Sequence, residues 1–273
     1  MSSPLAEISI HTIGSATNSV LEISTGNPLL FQDFYAFCCT LADRVQIDRE
    51  PVDSALQTTL AAWAALLRRK TLLGAEAQVG LFAELVFLER VAKVIGWAPA
   101  VDAWQGPKSE EHDFTLPFTD AEVKATRSEK RIHRISSLTQ LLPKHDRRLL
   151  IASVQLTEGA AGGQSLPQLI ASVFSGVMTA TYGIQSRFRR RLAQLGWADE
   201  DAPQYTTGYH LRTPMCVISV DATCPAITPA ILVALGDAQL RIGEVSYTAN
   251  FDGLGVLDGS EQFDSLLFPK VKP

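Results

Sequence analysis

The chain is 273 residues long, 46% apolar and 19% charged, with a formal net charge of −5. That length and apolar content suit one large or two modest folded domains and exclude a disordered or fibrous protein. No apolar run approaches the roughly 18 residues of a spanning helix. The start, Met1-Ser2-Ser3-Pro4-Leu5, has no basic segment leading into an apolar one. A cytoplasmic protein with no membrane partner and no secretory signal is expected. Cys38, Cys39, Cys216 and Cys224 match no zinc-ligand spacing and read as buried free thiols.

In chain order, Ile8-Ser9-Ile10 and Leu21-Glu22-Ile23 alternate as strands do. Val52, Leu56, Leu60, Trp63 and Leu67 repeat at helical spacing behind Pro51. A second helix is predicted over residues 75–95, stopped by Gly96. Trp104 leads into a polar loop over 105–111. Two short strands follow, 112–116 and 121–126, joined by Pro117-Phe118-Thr119-Asp120. Ser137 and Gln140 have capping-box spacing, which predicts a short helix near Ser136. Residues 149–154 read as a buried strand, 159–163 as a flexible loop and 167–195 as one long helix. Met215–Val220 and Glu244–Ala249 give a strand-rich tail. The fold class is therefore α/β, with the informative succession of elements between 75 and 156. Residues 1–74 form an N-terminal strand and helix region packed on that core, and 157–273 a C-terminal helix and strand region.

The hairpin carries the chemistry. A four-residue turn pairs Leu116 with Ala121, Thr115 with Glu122 and Asp113 with Lys124. Strand alternation then puts Asp113, Thr115, Glu122 and Lys124 on one face, with His112, Phe114, Leu116, Val123 and Ala125 mostly on the other. Two carboxylates and an ammonium converge. Mg²⁺ takes carboxylate oxygens plus waters, and a lysine beside it can orient a water and offset charge growing at phosphorus. The patch suits metal-assisted phosphodiester hydrolysis. A lone E-x-K leaves an ordinary salt-bridged surface strand open as the alternative.

Glu84 shares a helix face with Leu81, Leu85, Leu88, Val91, Ala92 and Ile95. A carboxylate aimed at a core is costly unless paired or metal-linked. Glu84 is thus either the partner of a buried base or a further acid of the site. Residues 124–148 carry Lys124, Arg127, Lys130, Arg131, Arg134, Lys144, Arg147 and Arg148 against Glu129 and Asp146, a local charge of +6. Such a segment attracts phosphates whatever the net charge, or else is simply a solvated face. The second basic cluster, Arg187–Arg191, either tracks a nucleic-acid backbone or lays its stems over apolar surface.

The ordered set Gly80-Leu81-Phe82-Ala83-Glu84-Leu85, Trp104-Gln105-Gly106-Pro107, His112-Asp113-Phe114, Glu122-Val123-Lys124-Ala125-Thr126 and Ile135–Leu141 resembles the PD-(D/E)XK motif family. The resemblance implies a restriction-endonuclease-like core, a mixed central sheet flanked by helices, with helical N-terminal and α+β C-terminal additions. It implies Asp113, Glu122 and Lys124 as catalytic residues, with Asp113, Glu122 and Glu84 holding Mg²⁺ or Mn²⁺. Arg127, Lys130, Arg131, His133 and Arg134 would contact nucleic acid. His112 stands where the family name has proline. Some related nucleases carry a glutamine followed four residues later by tyrosine; here Gln140 is followed by Lys144, and Gln140 reads as a cap.

Family members are typically encoded among phage-defence genes, which implies a DNA target and defence-system partner proteins, with RNA left open. A homodimer fits, because one such site cuts one strand. The alternative is a catalytically silent nucleic-acid-binding or assembly subunit. His112-Asp113 lacks the further histidines of an HD phosphohydrolase, and no G-x-S-x-G or P-loop lysine occurs.

Overall fold

The computed structural model describes residues 8–15, 18–26, 28–67, 72–105, 112–159 and 162–269. The polar loop at 106–111 and part of the glycine loop, 160–161, lie outside them. The chain divides into two compact units, Met1–Thr71 and Leu72–Pro273. Among the described residues no helix is long and apolar enough to cross a membrane.

In the first unit, β1 (Ser9–Ser15) and β2 (Asn18–Ser24) pair antiparallel with Ile10 opposite Ile23. Helices α1 (Phe31–Gln46) and α2 (Val52–Leu67) follow, the second beginning directly after Pro51 as its spacing predicts. Phe37, Leu56 and Leu60 are buried together, with Ile10, Leu21 and Ile23 packed against them. Both sequence periodicities therefore serve one small core.

The second unit opens with α3 (Ala75–Ile95), rich in alanine and leucine. It ends where Gly96 adopts φ 84°, a value that favours glycine. The chain turns straight into α4 (Trp97–Ala103), then β3 (Phe114–Leu116), β4 (Thr119–Thr126), β5 (Ile132–Ile135) and β6 (Arg148–Glu158). After β7 (Gln164–Ser165) come α5 (Leu166–Val177), α6 (Tyr182–Gln194), β8 (Gly208–Leu211) and β9 (Cys216–Ser219). The chain closes with α7 (Pro229–Leu232), β10 (Tyr247–Asn250), β11 (Val256–Leu257) and α8 (Glu261–Leu267).

The central sheet runs β11-β9-β6-β4-β3, with β8 pairing to the far end of β6 and β7 to β8. Only β4 and β6 are parallel among these pairs. Leu149 to Leu156 of β6 are all buried, as befits a strand covered on both faces. One face, with Ala121, Val123, Leu150, Ala152 and Val154, packs with buried residues of α3, α4, α5 and α6. The other face presents Ile151, Cys216 and Ile218 to Ile135, Ala249 and Phe251 of the β5–β10 region. This is a mixed α/β architecture with a helix-flanked mixed sheet.

The C-terminal region contributes β8, β9 and β11 to the central sheet. Three expectations change. The long helix breaks into α5 and α6 at 178–181, where Thr179 and Thr181 are weak helix formers and Thr181 caps α6 with extended backbone. No helix forms at 136–142. The capping contacts exist all the same, with Ser136 N–H donating to Gln140 Oε1 at 2.8 Å and Gln140 N–H to Ser137 Oγ at 3.2 Å. Pro143 follows too closely for a helix to propagate. Last, the hairpin turn has two central residues rather than four, so Phe114 faces Ala121 and Leu116 faces Thr119. Pro117 fixes one φ and Phe118 takes φ 62°, the combination of a type II turn.

Candidate active site

That register shift is two residues, an even number, so every side chain keeps its face. Thr115 pairs with Asp120, and continuing the ladder sets Asp113 opposite Glu122. Across the parallel pair, Glu122 lies beside Ile151 and Lys124 beside Ser153.

Each acidic side chain is held by one oxygen. Asp113 Oδ2 accepts the Val123 N–H at 2.7 Å. Glu122 Oε1 accepts Gln140 Nε2 at 2.7 Å and sits 2.9 Å from Lys124 Nζ. Glu84 Oε2, on α3, accepts the Trp104 indole N–H at 2.8 Å. Burial first, together with the Asp113 charge, pushes Glu84 and Glu122 each up to about 8. Burial raises Asp113 as well, opposed by its Val123 hydrogen bond and by Lys124. Three carboxyl groups, Glu122 buried and Glu84 and Asp113 half-buried, are thus opposed by the one ammonium of Lys124. Such a surplus of acid favours either bound protons or a cation.

The structure brings Glu84, Asp113, Glu122 and Lys124 into one electrostatically linked group. It adds residues that spacing alone did not assign. Gln140 bridges the Ser136 backbone and Glu122, so its capping-box position signalled a cap while its amide reaches the acid. His112, expected on the apolar side, is buried with Nδ1 3.9 Å from Glu122 Oε2. It precedes β3, where strand alternation no longer fixes direction. No sequence signal pointed to the Trp104–Glu84 bond.

Two of the five expected nucleic-acid contacts are corrected. Arg131 is buried and donates to Ser153 O and Oγ, Thr213 Oγ1 and Pro214 O. His133 is buried with Nε2 2.7 Å from Ser153 Oγ. Both point into the fold because Ser153 and Thr213 supply partners there. Arg127, Lys130 and Arg134 are exposed, Arg127 bridging to Glu158 at 2.7 Å and to Glu76. In the second basic cluster, Arg187 pairs with Asp102, Arg191 donates to Val101 O and Arg189 lies 4.6 Å over the Phe174 ring. These three cover the fold. The cysteines are free, but only Cys216 and Cys224 are buried.

Burial, aided by Lys124 and Arg131, lowers the His133 pKa to about 4. The folded protein keeps this ring neutral while the unfolded chain protonates it near 6.5. Stability from this group is therefore full above pH 6.5 and declines as pH falls toward 4, by up to about 3 kcal/mol. Urea midpoints measured from pH 7 to 4 should fall accordingly, and His133→Gln should flatten that slope.

The family model described as "putative PD-(D/E)XK family member" matches residues 5–252. No curated protein and no solved structure matches the chain. With that match spanning nearly the whole sequence, and a helix-flanked mixed sheet consistent with a restriction-endonuclease-like fold, the chain belongs to this PD-(D/E)XK family, whose membership points to a nuclease.

Proposed function

We propose that the protein is a divalent-metal-dependent endonuclease that hydrolyses DNA phosphodiester bonds in a prokaryotic defence setting. The observation that carries this reading is the convergence of Glu84, Asp113 and Glu122 with Lys124 at the end of the β3–β4 hairpin. The donor chemistry fits a hard cation: all three acids offer carboxylate oxygens, one of each bound by Trp104, Val123 or Gln140. Among the described residues, no group of three or more Asp, Glu, His or Cys side chains is placed to hold a metal ion by itself, so a bound ion would complete its shell with waters and phosphate oxygens.

Asp113 and Glu122, with Glu84 in support, would hold Mg²⁺ or Mn²⁺. When bound, such an ion supplies polarisation of the phosphoryl oxygen and acidifies a water. Lys124 holds a positive charge beside Glu122, where it orients the attacking water and offsets charge developing on phosphorus. Gln140 fixes the Glu122 oxygen that faces Lys124, so the two stay in register. Arg127, Lys130 and Arg134 on the exposed side would track the phosphate backbone. A homodimer would present one site to each strand, and defence partners could deliver the substrate.

The unclosed carboxyl group also favours a second reading, a silent nucleic-acid-binding subunit. Incubation of plasmid DNA, linear DNA and RNA with Mg²⁺, Mn²⁺ or EDTA separates the two. Cutting of DNA that EDTA abolishes is the expected result. Salt-dependent binding without cutting in either metal would transfer the case to the silent subunit. Neither binding nor cutting would overturn nucleic acid as the ligand.

A further inference from the structure

Trp104 and Gln105 form a dipeptide that reaches the Glu84 carboxylate through a side chain and the Asp113 main chain through the backbone. The Trp104 indole N–H donates to Glu84 Oε2 at 2.8 Å. The Gln105 backbone N–H donates to the main-chain carbonyl of Asp113 at 2.7 Å, and Trp104 itself bridges to Phe114. Trp104 is fully buried, a costly place for a large ring whose polar edge must find an acceptor.

Its direction is fixed from behind. The Phe188 ring lies 5.7 Å from the Trp104 ring, and the neighbouring turns of α6 grip the end of α4 through Arg187 to Asp102 and Arg191 to Val101 O. Glu84 alone, on a long side chain, has rotamer freedom at the helix surface. With one oxygen tied to an immobile indole, its other oxygen is aimed rather than free.

We propose that Trp104 is a positioning residue: its indole N–H fixes the Glu84 carboxylate so that its second oxygen is presented to a divalent cation shared with Asp113 and Glu122. This rests on the metal-dependent reading above. Partners that orient a ligating carboxylate typically contribute 10–100-fold in metal affinity.

The test is Mn²⁺ binding to the full chain, followed calorimetrically without substrate, alongside thermal unfolding. Trp104→Phe keeps a ring against Phe188 and removes the donor. It should weaken Mn²⁺ binding by about tenfold. In a Glu84→Ala background the same replacement should have no further effect on affinity, a pattern that general loosening of the fold would not produce. If Trp104→Phe fails to fold, benzothienylalanine at position 104 preserves the two-ring shape without the N–H and gives the same comparison. Wild-type affinity in the folded donor-less variant, with Asp113→Asn still losing Mn²⁺, would overturn the role of Trp104 and leave the metal reading standing. Equal losses in the wild-type and Glu84→Ala backgrounds would also overturn it. Absence of Mn²⁺ binding in the wild type would overturn both.

Discussion

Lys124→Ala is expected to slow metal-dependent cleavage by about 10²–10³-fold, the scale seen when one charge-stabilising donor is removed from a site. The lysine stands 2.9 Å from Glu122 Oε1 and is the cation that lowers the pKa of Glu84, Asp113 and Glu122 alike. Its loss leaves the three carboxyl groups without that opposing charge, so their pKa values should rise further. Proton binding then competes more strongly with metal. Lys124→Arg should not restore the rate, since a planar fork cannot replace a compact ammonium at this distance. Single-turnover cleavage of a labelled duplex, beside thermal melts of each variant, provides the check. A fully active, folded Lys124→Ala protein would remove this residue from the reaction.

Arg147→Ala should produce the largest loss of stability, about 3 kcal/mol. Arg147 Nε lies 2.9 Å from Asp120 Oδ1 and 3.0 Å from Oδ2, while Nη2 donates to Leu116 O at 2.6 Å. Asp120 is only 1% exposed, so removing the arginine strands a carboxylate inside the protein. The same guanidinium joins both strands of the hairpin that carries Asp113 and Glu122. Urea titration should show a lower midpoint with an unchanged slope. The double replacement Arg147→Met with Asp120→Leu should recover much of the loss, because no unpaired charge remains. Loss within about 0.5 kcal/mol for the single variant would show that water reaches Asp120.

Much of this site is legible in the sequence because its logic is local. Helix α3 ends at Ile95 as the apolar period and Gly96 indicate. The E-x-K face follows from strand alternation, which a register shift of two residues preserves. The turn itself was obscured by Phe118, since a bulky residue at positive φ gives no advance sign of the tight connection. What escaped depends on partners far along the chain. Arg131 and His133 look like neighbours of Lys130 in a basic run, yet Ser153, Thr213 and Pro214 turn them inward. Trp104 marks only the start of a polar loop in the sequence, yet its indole meets Glu84 from 20 positions earlier. The C-terminal strands were similarly hidden, because short segments such as Val256–Leu257 carry too little pattern to reveal that they extend the central sheet.

The place of β6 between β4 and β9 has a bearing on how the protein is made. On the ribosome, β6 emerges with β4 already available but with β9 still unsynthesised. Until β9 arrives, one long edge of a strand destined for burial has backbone N–H and C=O groups with no neighbour. Such an edge readily recruits strands from other chains. The nascent protein is therefore most vulnerable after the acidic and basic residues of the site have been made and before the strand that shields their scaffold has left the exit tunnel.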